Sequence, residues 1–99
     1  MSKLNQLAHA AADYFDVSVV ALKGKSREAI CTKPRHICQW VALNAGYTKP
    51  IVARYWKVDR TSVYYGQKIV GRNIATDANA MKELKAFMRF AKGYITKKT

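Results

Sequence analysis

Residues 48–70 read TKPIVARYWKVDRTSVYYGQKIV. Thr48 can accept a bond from an orphan helix amide, and Pro50 suits a first turn, where its missing N–H costs nothing. The segment IVARYWK that follows is long enough for about two helical turns. Val58 ends it, and Asp59 offers a cap for the next helix, with Thr61 and Ser62 in the first turn. Val63, Val70 and Ile74 then mark the apolar stripe of a longer helix. A short helix, a tight turn and a capped second helix make a helix-turn-helix over about residues 49–72.

Upstream, Thr32-Lys33-Pro34 repeats the grammar of Thr48-Lys49-Pro50 and predicts a helix opening at Pro34. Ile37, Cys38, Val41, Ala42 and Ala45 make it apolar on several sides, and Gly46 stops it, so it reads as the central helix. Residues 23–31, KGKSREAIC, read as a basic connector turning at Gly24. Leu4, Leu7, Ala8, Ala11 and Phe15 recur at three and four, the stripe of an amphipathic first helix that Ser2 can cap. A short apolar run after Ser18 adds one or two turns.

Downstream, Asp77 can cap a last helix over about 77–95. Met81, Leu84, Met88, Ala91 and Ile95 form one stripe, and Phe87, Phe90 and Tyr94 a second. Together they are wider than a surface helix needs. They can pack on the core, or part of the stripe can pair with a second copy as a homodimer. No strand-like alternation and no hairpin turn stand out. The expectation is one all-α domain over residues 1–99, with about five to six helices.

Lys and Arg number 18 against 6 Asp and Glu, a net charge of +12. The excess is uneven. Residues 1–22 carry one basic and two acidic side chains, residues 23–72 eleven and two, and residues 73–99 six and two. A positive field concentrated in the middle of the chain attracts polyanions, nucleic acid first among them. A basic protein with no nucleic-acid role is the alternative.

Other chemistry finds little footing. Cys31 and Cys38 are too few for a disulfide framework and sit among apolar residues; with only His9 and His36 beside them, no zinc spacing occurs. Neither histidine has a nucleophile or carboxylate at catalytic spacing, and no Gly-rich phosphate loop is present. The expectation is no enzyme, no cofactor, no metal and no bound nucleotide. The opening MSKLNQLAHAAADYF is too interrupted by polar residues for a signal peptide, and no apolar run approaches the ~20 residues of a membrane span. A cytoplasmic, nucleoid-associated setting follows as an expectation.

In a helix-turn-helix the amino end of the second helix enters the major groove. Here Arg60 can bond a guanine edge with two donors, Thr61 and Ser62 can reach base edges or phosphates, and Tyr64 and Tyr65 follow. Asp59 can accept from a cytosine amine, or simply cap the helix. The connector holding Lys23, Lys25 and Arg27 is either a solvated loop or an arm for the minor groove. A helix start at Pro34, with Lys33, Arg35 and His36 beside it, would clamp a phosphate, and Thr48 and Lys49 repeat the arrangement. Trp40, Tyr55 and Trp56 read as core rather than as stacking platforms for single strands.

Three motifs share a resemblance. Residues 11–36 read AADYFDVSVVALKGKSREAICTKPRH, with an Ala-x-Tyr-Phe-x-Val opening, a Leu-x-x-Lys-x-Arg basic loop and a Pro-Arg pair. Residues 59–63 read DRTSV, and QKIV follows at 67–70. In this order and near this spacing, residues 11 to about 70 resemble the C-terminal DNA-binding domain (domain IV) of the bacterial replication initiator DnaA. The resemblance implies a helical, Trp-repressor-like fold that binds short asymmetric boxes in double-stranded DNA. It implies that Arg27 enters the minor groove, that Arg35 contacts a phosphate, and that Pro50, Asp59, Arg60 and Thr61 meet bases. Backbone contacts would come from Lys23, Lys25, Lys33, His36, Thr48, Lys49, Ser62 and Tyr65.

The departures matter. Arg60 replaces the signature histidine, Ser62 the second threonine, and His36 the glutamine after Pro-Arg. Val58 stands where the family has a Gly-containing turn, and Lys49 where it has an apolar residue. The initiator's nucleotide-binding motor domain has no counterpart in these residues. The expectation is a free-standing, DnaA-like reader of DNA in replication control or transcription regulation, such as a phage or mobile element encodes. Two alternatives stand beside it: a non-specific architectural nucleic-acid binder, and a protein-interaction module of the replication machinery.

Overall fold

Apolar residues at helical spacing, broken by residues that stop helices, dictate an all-α architecture. A computed structural model describes the backbone of residues 3–23 and 29–96, and the side chains of residues 3–23 and 32–92. It has six helices and no strand among the described residues: α1 Lys3–Phe15, α2 Val19–Lys23, α3 Ala29–Asn44, α4 Lys49–Trp56, α5 Arg60–Thr76 and α6 Ala78–Thr96. None is long and apolar enough to cross a membrane.

Local chemistry sets most of the boundaries. The Ser18 hydroxyl accepts the Ala21 amide at 3.0 Å and starts α2. Gly46, at φ +109, ends α3 in a conformation that L side chains rarely adopt. Lys57 takes the left-handed region after α4, and its amide donates to the Arg54 carbonyl at 3.2 Å. The Asp77 carboxylate accepts the Asn79 amide at 2.9 Å and opens α6.

One expected boundary is corrected. Helix α3 opens at Ala29 rather than at Pro34, so Thr32, Lys33 and Pro34 lie inside it. Thr32 therefore caps nothing, and its hydroxyl is buried without a hydrogen-bond partner among the described residues. Pro34 removes one backbone bond from the helix, yet its buried ring packs inside the molecule. The connector is correspondingly shorter than the nine residues read from the sequence.

The core joins α1 (Leu4, Leu7, Ala8, Ala11), α3 (Ile37, Cys38, Ala42), α4 (Val52, Trp56), α5 (Val63, Val70) and α6 (Leu84, Phe87, Ala91). Helix α3 is central, packing on α1, α2, α4 and α5. Helix α6 lies along α1, where the Tyr14 ring meets Phe87 at 5.5 Å and Phe90 at 5.3 Å. The Leu84–Phe87–Ala91 stripe is thus used inside the fold, while Met88 and Phe90 stay exposed. The Tyr55 hydroxyl donates to Asn5 at 2.7 Å and ties α4 to α1.

Helices α3 and α5 cross at Gly66. A Cβ there would sit 2.8 Å from Cδ2 of His36, closer than real Cβ contacts come, and 3.3 Å from Oε1 of Gln39, tighter than most. Glycine is therefore required for the two helices to meet, and this contact fixes the roll of α5 about its axis. The residues a half-turn away are left facing solvent.

Candidate nucleic-acid interface

Helices α4 and α5 are joined by Lys57, Val58 and Asp59 alone. Asp59 is the N-cap residue of α5, with the extended conformation that position needs (φ −73, ψ 152), and its carbonyl accepts the Ser62 amide at 3.0 Å. Its carboxylate makes no cap bond. The Arg60 and Thr61 amides therefore keep free donors among the described residues, at the positive end of a 17-residue helix. Thr48, before α4, likewise makes no side-chain cap bond, and Pro50 stands in the first turn as expected.

Arg60, Thr61 and Ser62 are all exposed, as are Asp59, Tyr64 and Tyr65. The α5 surface continues through Lys68 and Arg72, so Arg60, Tyr64, Lys68 and Arg72 stand one above the other at spacings of four. Lys68 Nζ lies 5.2 Å from the Tyr64 ring centre, and Lys49 Nζ lies 5.9 Å from it. The start of α4 and the outer face of α5 thus share one surface. Between Lys49 and Arg72 there are six basic side chains and one acid, Asp59. None of these charges forms an ion pair among the described residues.

Lys23 stands at the end of α2, the root of the basic connector, with Nζ 4.1 Å from the Tyr55 ring centre. That contact sets the connector's origin beside α4. Lys25 and Arg27 lie outside the described residues.

The group expected around Pro34 is arranged differently. Arg35 is 9% exposed and points inward. Its Nε donates to the Leu22 carbonyl at 2.8 Å, and its Nη2 to the Ala21 carbonyl at 3.2 Å. The guanidinium thus holds the last carbonyls of α2 instead of standing free for a phosphate. His36 is half-buried against Gly66. Burial, and secondarily the Arg35 charge, lower its pKa below the ordinary 6.5 and favour the neutral ring. Lys33 is exposed but pairs with Glu83 at 2.9 Å. Lys33, Arg35 and His36 thus lie inside α3 and not at a helix start.

Sequence reasoning passed over Lys68 and Arg72. Their four-residue spacing from Arg60 and Tyr64 was a readable signal, since it places all four on one helix face. Among the described residues no cluster of three or more His, Cys, Asp or Glu could hold a metal. Burial pushes the Cys38 thiol far up, so it stays protonated and unreactive. No protein-family model matches the chain, and no curated protein matches it.

Proposed function

We propose that the protein binds double-stranded DNA sequence-specifically, with the amino end of α5 in the major groove and the basic connector in the minor groove. The observation that carries this reading is the α4–turn–α5 unit, with Arg60, Thr61 and Ser62 exposed beside the free Arg60 and Thr61 amides, amid cations that form no ion pair among the described residues. Arg60 and Thr61 are the base readers, with Asp59 and Pro50 beside them. Lys49, Thr48, Ser62, Tyr65 and Lys23 grip the backbone. Arg35 and His36 support the fold and are not part of this set. Arg27 remains the minor-groove candidate through the resemblance to DnaA domain IV, with Lys25 a backbone contact. The sites would be DnaA-box-like, altered where Arg60 replaces histidine, and the role would be replication control or transcription regulation. No catalysis is proposed.

The net charge of +12 also favours a second reading, a non-specific architectural binder. Selection from random duplexes separates the two. The specific reader enriches one short motif, and the architectural binder enriches none. On the enriched duplex, Arg60→Ala lowers affinity by ~1–3 kcal/mol and relaxes preference at one base pair. An unchanged affinity and an unchanged preference would remove Arg60 from the interface.

A further inference from the structure

Helices α3 and α6 both pack on α5 but scarcely touch each other. The wedge between the three is a half-open cavity of about 340 Å³. Ile37 of α3, Ile69, Val70 and Ile74 of α5, and Leu84 of α6 give it apolar walls. Such a volume stands near the lower bound of small-molecule sites, which span ~300–1,000 Å³.

Thr32, Lys33 and His36 of α3 and Asn73 of α5 add polar side chains to the lining. His36 is half-buried and has no hydrogen-bond partner among the described residues. Its environment favours the neutral imidazole, which carries one donor and one acceptor. Lys33, also in the lining, is already neutralised by Glu83 at 2.9 Å. Among the described residues no buried charge faces the cavity to replace the hydration of an ionic guest.

We propose that this cavity binds a small, uncharged ring compound bearing one hydroxyl or N–H group, its ring against the isoleucines and its polar group on the His36 imidazole. The site is independent of the DNA-binding reading, because its walls include none of Arg60, Thr61, Tyr64, Lys68 and Arg72.

Titration of the full chain with phenol, toluene and benzoate, followed through backbone amide shifts, tests the assignment. Phenol should give saturable shifts at residues 36–37, 69–74 and 80–84. Toluene should shift the same amides about fivefold more weakly, for want of one hydrogen bond. Benzoate should bind more weakly than phenol. Ala80→Phe, which fills the cavity, should abolish the shifts, and His36→Phe should bring phenol and toluene to equal affinity. The site is overturned if neither phenol nor toluene gives saturable shifts there, or if Ala80→Phe, still folded, leaves the shifts intact. Equal binding of phenol and toluene, or benzoate binding as tightly as phenol, in the unaltered chain would overturn the assigned ligand class without needing any variant.

Discussion

Thr-Lys-Pro occurs twice, at 32–34 and at 48–50, and the molecule puts the two copies to different uses. The second copy opens α4; the first lies inside α3. The tripeptide is equally suited to both places, so the difference comes from what precedes it. Before Thr48, Gly46 at φ +109 has already ended α3. Before Thr32 stand Ala29, Ile30 and Cys31, which are helical and offer no such stop. A cap-and-proline signature marks a helix start only where the preceding turn releases the chain.

The chemistry diverges accordingly. Lys49 sits in the first turn of α4, beside an exposed tyrosine and with no ion-pair partner among the described residues. Lys33 is paired with Glu83, and the next two polar side chains, Arg35 and His36, face into the protein. One copy contributes to a surface, and the other to the join between helices.

Four substitutions or conditions separate these roles, beginning with the largest effect. Arg35→Ala strands the α2 carbonyls of Ala21 and Leu22, and should lower stability by about 2–3 kcal/mol in urea denaturation. A loss below about 0.5 kcal/mol would make the guanidinium a bystander and reopen its role at a phosphate. Gly66→Ala pushes a methyl to 2.8 Å from the His36 ring; about 1–3 kcal/mol should be lost by the same assay. An undiminished midpoint would mean that α3 and α5 do not meet there.

Lys49→Ala should leave stability nearly unchanged and reduce the slope of log affinity against log salt by about one. Lys33→Ala, measured alongside, should change that slope less. Equal slopes would erase the distinction between the two copies. The smallest effect concerns His36. Its folded pKa lies below 6.5, so protonation favours the unfolded chain. The stability it contributes is present above that value and is lost as pH falls through the folded pKa. Melting temperature should therefore decline from about pH 7 to about pH 5, and His36→Gln should flatten the decline. A decline of equal steepness in the variant would assign it to other groups.

Much of the fold was legible because the elements are locally determined. Gly46, Ser18 and Asp77 each act within a few residues of themselves, and the spacing of Leu4, Leu7 and Ala11 or of Val63, Val70 and Ile74 survives any tertiary arrangement. The start of α3 was not legible, since Thr32-Lys33-Pro34 carries the same local signal as a true start. Nor was the inward turn of Arg35 legible. Arginine is rarely buried, and its partners here are carbonyls 13 and 14 residues away. The exposed amino end of α5 was read correctly from Asp59, Arg60 and Thr61. The ladder through Lys68 and Arg72 is present in the spacing, but it lies beyond the first turn, where groove-reading side chains stand.

Amide-shift mapping of the full chain with a duplex enriched from random sequence tests the central claim most directly. The largest changes should fall at residues 48, 49 and 60–65, with α1 nearly silent. Changes centred on α1 or α6, with the amino end of α5 unmoved, would contradict it.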